Sequence, residues 1–294
     1  MRSDSMITVD ATEITIKSLQ AVKNADAPKM LYHYTNLSSL ALILKNKTLR
    51  LMPLSKMDDK QEKETSDVDN LGRFFFVSCW TDDGVESIPM WKMYASLESG
   101  VRIGLPPNPF AWELVTTQYL CDGVGFPLDP NQRGQLVKSL IHSCDLERGL
   151  FCTEMGFDSI LHKVEYTDDH DRLVPVVAPQ EDTIHFGEYG LVKHTGWEFQ
   201  HEWRYLLRLF PPRTKDDPHD LGSRLQELFP KMRSGELGEP CKHYDLTLDP
   251  VAISQMEIIP SPEMSPGNRV LFDLLIKEYC PTATVKESAL TETL

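Results

Sequence analysis

The chain has no apolar run approaching the roughly 18–20 residues that a membrane span requires, which excludes a spanning helix. No C-x-x-C pair occurs among its six cysteines, so the usual structural zinc arrangements and a disulfide framework fall away. Cys79, Cys121, Cys144, Cys152, Cys241 and Cys280 are scattered and read as free thiols, mostly buried. Neither G-x-G-x-x-G nor G-x-x-x-x-G-K-[ST] is present, so Rossmann and P-loop sites fail at the first test. Positive charge is scarce, with 30 Lys and Arg against 44 Asp and Glu and a net charge of −14. The average surface field therefore repels nucleic acid and disfavours a sequence-independent coat protein, while still permitting a local basic groove. The N-terminal stretch also lacks the apolar core of a signal peptide, so the expectation is a cytoplasmic protein with no membrane partner.

What is there suits one large domain or two modest ones: 294 residues, 41% hydrophobic and 25% charged. Residues 1–29 read as a short leader, 30–280 as a single domain and 281–294 as a C-terminal tail. "KMLYHYTN" (29–36) is strand-like, and Asn36 or Ser38 can cap the helix "LSSLALILKN", whose apolar residues recur at helical spacing. "TLRLMPL" (48–54) is a second strand, followed by a charged, mobile loop from Ser55 to Asn70. "RFFFVSCW" (73–80) is a continuous apolar run, which predicts a strand buried on both faces. "SIPMWKMYASLES" (87–99) reads as a helix, with Pro89 in its first turn and Gly100 just past its end. Strand character resumes at 100–106, and 107–160 reads as largely helical. Further strands are expected at 161–168, 202–210, 243–249 and 256–262, a hydrophilic excursion at 211–222, and a closing helix over 268–280. The order predicts an α+β domain built on a mixed or antiparallel central sheet with flanking helices.

Three residues stand out. His33 lies between Tyr32 and Tyr34, Tyr94 lies in "MWKMYA", and Glu202 opens "EWRYLLRLF". Each alone has a plain structural explanation: a core histidine, a packing tyrosine spaced three from Trp91, and a surface pair of Glu202 with Arg204. Their order resembles the His–Tyr–Glu triad of the ADP-ribosyltransferase superfamily, in the branch shared with poly-ADP-ribose polymerases and DNA-targeting toxin transferases. The stretches carrying YHYT, FVSCW, MWKMYA and EWR also resemble a widespread bacterial domain family of unknown function, over roughly residues 30–262.

The resemblance implies an ADP-ribosyltransferase-like fold and NAD as substrate, with no metal. It implies that Glu202 steadies the ribose, that His33 holds a ribose hydroxyl, that the Tyr34 backbone clasps the carboxamide and that Tyr94 stacks on nicotinamide. The chemistry suits these residue types. Breaking the nicotinamide–ribose bond develops positive charge on the ribose, and a carboxylate there strengthens its hold as the charge grows. Arg50 and Arg204 are expected to neutralise the diphosphate, since guanidinium forks match phosphate oxygens. Gln200, two residues before Glu202, occupies the acceptor-side position; Trp197 and Trp203 are expected to pack beside it. The expected function is NAD-dependent mono-ADP-ribosyl transfer by a bacterial toxin or anti-phage effector. Its macromolecular acceptor would be RNA, DNA or protein, and an antitoxin protein would be its neutralising partner. The alternatives are NAD glycohydrolysis and a non-catalytic ligand- or partner-binding module. Metal-dependent hydrolysis by His185, His194, His201 and Glu202 matches no ligand spacing of the H-E-x-x-H kind.

Overall fold

The computed structural model describes residues 28–116, 136–142, 145, 150–152, 160–178, 185–211 and 230–293. Nearly all of the leader, most of the 211–222 excursion, Cys121 and Cys144 lie outside these. The protein is α+β, with a mixed sheet and a few helices. Among the described residues no helix is long and apolar enough to cross a membrane.

Strand β1 (Leu31–Asn36) leads directly into helix α1 (Leu37–Asn46). The Asn36 side chain accepts the Ser39 N–H at 2.9 Å, which satisfies one free donor of the first turn. Leu37, Leu40, Ile43 and Leu44 form the buried stripe of α1, and Lys47 in left-handed conformation turns the chain into β2 (Thr48–Pro53). β3 (Phe75–Thr81) is the organising strand. Along one edge it pairs antiparallel with β11 (Glu202–Phe210) over seven residue pairs. Its other edge is shared: β2 meets it at Phe76 and Val77, and β1 meets it only at Thr81. The sheet therefore forks. One arm continues from β2 to β12 (Tyr244–Thr247). The other runs from β1 through β4 (Gly100–Leu105) and β13 (Glu257–Pro260) to β14 (Thr284–Val285).

The apolar run of β3 follows from its two covered faces. Phe76 and Trp80 join the larger core with Trp203, Tyr205, Leu207 and α1, while Phe75 and Val77 join a second core with Leu206, Phe210 and Tyr189. Strand alternation sends neighbouring side chains into different cores, so no polar alternation survives.

Several expectations are corrected. Helix α2 spans only Ile88–Tyr94, capped by Ser87, and Ala95 is already extended. Gly100 is the first residue of β4 and not a helix terminator: a Cβ there would lie 2.3 Å from the Ser96 carbonyl oxygen. The 107–160 tract contains an antiparallel pair, β5 (Glu113–Thr116) with β6 (Leu136–Ser139), and β7 (Phe151–Cys152). The 161–168 stretch splits into β8 (Leu161–Lys163), paired with β11, and β9 (Glu165–Thr167), paired in parallel with β10 (Val192–His194). Val164 still follows β11, its N–H donating to the Glu202 carbonyl at 2.9 Å, and the switch comes at Glu165, whose N–H donates to the Leu191 carbonyl at 2.9 Å. Residues 55–70 are not a free charged loop: a 3-10 turn over Gln61–Lys63 buries Glu62, and Val68 is buried as well. Helices α3 (His170–Leu173), α4 (Pro250–Ser254) and α5 (Pro266–Tyr279) are the remaining described α-helices.

Candidate functional site

The fork opens a cleft lined by β1, the end of β3, α2, the 55–70 segment and the start of β11. Its enclosed volume is about 110 Å³. His33, Tyr34, Tyr94, Gln200, Glu202 and Arg204 all line it. Arg50 does not. It lies on the β2–β12 arm in a bidentate pair with Asp245, at 2.8 and 2.9 Å.

Glu202 enters from a sharp turn. A 3-10 segment over Thr195–Gln200 ends in His201, a non-glycine residue at φ +44°, and β11 begins immediately after it. The Glu202 N–H donates to Tyr166 Oη at 2.8 Å. The residue is 4% exposed. Oε1 accepts from Arg204 Nε at 2.5 Å and Oε2 from Lys193 Nζ at 3.0 Å. Arg204 shares its face because strand residues i and i+2 point the same way. The remaining guanidinium donors go to the Gly190 carbonyl at 2.7 Å and to Glu62 Oε2. Two carboxylates and two cations thus form a buried quartet. Burial opposes the Glu202 charge, but Arg204 and then Lys193 outweigh it and hold its pKa at about 2. Glu202 is therefore ionised at any physiological pH. The Cys79 thiol adds a further hydrogen bond to this carboxylate.

This reassigns two expected roles. Arg204 is fully buried, with its donors turned onto protein acceptors; it orients Glu202 and does not reach out for a diphosphate. Gln200 is also buried, and its amide clamps two neighbours. Oε1 accepts from Lys193 Nζ at 2.8 Å, and Nε2 donates to Tyr94 Oη at 2.5 Å. An acceptor-facing role does not fit that geometry, whereas positioning of Tyr94 does.

His33 Nδ1 lies 2.8 Å from the Cys79 carbonyl, an acceptor only, so Nδ1 carries the proton and Nε2 is left as an acceptor. Burial lowers the His33 pKa, so the ring is neutral. Tyr34 Oη accepts the Ser87 N–H at 3.0 Å, and its ring meets Trp91 edge-on. Because β1 pairs with β3 only through Tyr32, strand β3 does not cover its main chain beyond that point. Trp197, expected as packing, lines the cleft with its ring 5.0 Å from Lys193 Nζ. Trp203 does pack, donating to Asp82 at 2.8 Å.

Comparison with protein-family models, with curated proteins and with solved structures finds no match to this chain.

Sequence reasoning missed Glu62 and Lys193. Glu62 lay in a charge run that reads as solvated, and its burial depends on an arginine 142 residues away. Lys193 carried a weak signal, a single cation in the apolar stretch "GLVKH". The four described cysteines are free thiols, Cys152 and Cys280 buried and Cys79 and Cys241 half-buried. Among the described residues no group of His, Cys, Asp and Glu is placed to hold a metal, the set His185, His194, His201 and Glu202 included.

Proposed function

We propose that the protein cleaves the nicotinamide–ribose bond of NAD and transfers ADP-ribose to a macromolecular acceptor, as a bacterial toxin or anti-phage effector would. The observation that carries this reading is the convergence of His33, Tyr94 and Glu202, from three separate elements, on one cleft. In this mechanism the Tyr94 ring stacks on nicotinamide, and neutral His33 accepts a hydrogen bond from a ribose hydroxyl. The main chain near Tyr34 receives the carboxamide. Glu202 faces the anomeric carbon, where charge develops as the bond breaks. The bond's electron pair stays with the ring nitrogen, nicotinamide leaves neutral, and the acceptor's nucleophile takes its place on the ribose and releases its proton to solvent. Arg204 and Lys193 fix the Glu202 carboxylate in advance, so no reorganisation accompanies the charge shift.

A second reading, with water as acceptor, is favoured by one observation: Gln200 is buried and engaged, which leaves the acceptor-side position without a side chain directed outward. Incubation with NAD labelled in the adenylate, together with a cell extract, distinguishes the two. Label retained on a macromolecule, and removed by nuclease or by protease, identifies transfer and its acceptor class. Free ADP-ribose alone identifies hydrolysis. Intact NAD in both arms overturns NAD chemistry.

A further inference from the structure

The charge of the cleft is unbalanced. Glu62 and Glu202 occupy Arg204 and Lys193, the only Lys or Arg side chains lining the cleft among the described residues. Asp58 and Asp59 line it as well, from the segment that delivers Glu62. Four carboxylates thus face two cations, and the neutral His33 ring adds nothing to the positive side. Asp59 Oδ1 accepts the Gln61 N–H at 2.9 Å, whereas Oδ2 is enclosed without any hydrogen-bond partner. The field of Asp58 reaches Tyr94, whose hydroxyl pKa is pushed up by burial first and by Glu202 and Asp58 next. Trp80, Trp197 and Tyr32 add aromatic wall.

We propose that this cleft selects its ligand by charge: it takes a pyridinium ribonucleoside, cation inward, with Asp58 and Asp59 setting the specificity and phosphates left outside. This rests on the NAD reading above and narrows it. A diphosphate inside would meet carboxylates and no uncommitted cation, which costs more than it gains. A pyridinium ring meets the two spare negative charges and the aromatic faces together. The charge then moves in a useful direction. Before cleavage it sits on the ring; during cleavage it passes to the ribose beside Glu202; afterwards nicotinamide is neutral and no longer held by Asp58 and Asp59.

Binding of three probes to the whole protein tests this: nicotinamide riboside (cationic), its reduced dihydro form (neutral and nearly the same shape) and ADP-ribose (anionic). The oxidised riboside should bind about tenfold more tightly than the dihydro form at low salt, with ADP-ribose weakest, and added salt should narrow the gap. In the double variant Asp58→Asn/Asp59→Asn, which keeps the Asp59 Oδ1 acceptor, the two ribosides should bind about equally. ADP-ribose binding as tightly as the oxidised riboside, or a riboside preference unchanged in the double variant, overturns the charge selection. NAD turnover measured alongside separates the two ideas. Turnover together with tight ADP-ribose binding overturns only the charge selection. Charge-dependent riboside binding without turnover overturns only the NAD reading. Binding of none of the probes overturns the charge selection whatever the turnover.

Discussion

A carboxylate taken out of water resists ionisation unless cations compensate, and at Glu202 both Arg204 and Lys193 do so. Glu202→Gln removes one negative charge from a neutral quartet and leaves Glu62 facing two cations, so it should lower the melting temperature as well as activity. If Glu202 acts on charge that appears in the transition state, label transfer should fall about 100- to 1000-fold while NAD affinity changes little. The cost in stability follows pH. The Glu202 pKa is depressed from 4.5 to about 2, so its contribution is present above pH 4.5 and is lost as pH falls toward 2. Denaturant midpoints measured between pH 7 and 2 should drop more steeply over that window in the wild type than in Glu202→Gln. Arg204→Met should lower stability more than Glu202→Gln, because it leaves two buried carboxylates sharing Lys193 alone, at a cost of about 3–5 kcal/mol. At this scale His33, Tyr94 and Glu202 were legible because chain order and local context carry them. Glu62 and Lys193 were not, since each is buried only by partners supplied from elsewhere in the fold.

Helix α2 holds Tyr94 with just seven residues, too few to be stable alone, so its position comes from what it packs on. Trp91 is fully buried and donates to Glu86 Oε2 at 3.0 Å. That same carboxylate receives Ser288 Oγ and the Ala289 N–H, both at 2.7 Å, and Leu290 packs against the Trp91 cluster. The final residues, expected as a tail, therefore brace the helix that presents Tyr94. A chain stopped after Cys280 should keep its main sheet yet show a red-shifted tryptophan emission and weaker NAD binding; unchanged values for both would dissociate the tail from the site. Gly190 makes a second test. It sits at φ +79° with its carbonyl on Arg204, and a Cβ there would lie 3.2 Å from Leu54. Gly190→Ala should lower stability by about 1–3 kcal/mol, read as a shifted denaturant midpoint. Among the elements, β1, α1, β3, β11 and α5 were readable because apolar periodicity and capping residues agree. The described part of the 107–160 tract was misread, because short apolar stretches such as "LVKS" do not distinguish a helix turn from a strand.

At the scale of the molecule, the cleft exists because β3 cannot keep one neighbour along its whole second edge. β2 pairs at its beginning and β1 at its end, so the arms part between Val77 and Thr81, and Glu202 faces Thr81 across the opposite edge. A sequence of strands predicts a sheet, but the fork depends on long-range register, which no local pattern contains. The fork also brings the quartet, the aromatic walls and the half-buried His33 into one enclosure, although they lie up to 172 residues apart, from Tyr32 to Arg204. If that enclosure is the engine of a toxin, expression in a bacterial host without a neutralising partner should arrest growth. The Glu202→Gln form should not, and neither should Tyr94→Ala, which removes the stacking ring while leaving the quartet intact. Comparing the two variants matters because the first also disturbs a buried charge balance. Soluble yield and melting temperature must accompany each growth curve, so that lost toxicity is not lost protein. Growth arrest by all three proteins, each folded and at equal level, would reduce Glu202 to a structural carboxylate at the mouth of a strand.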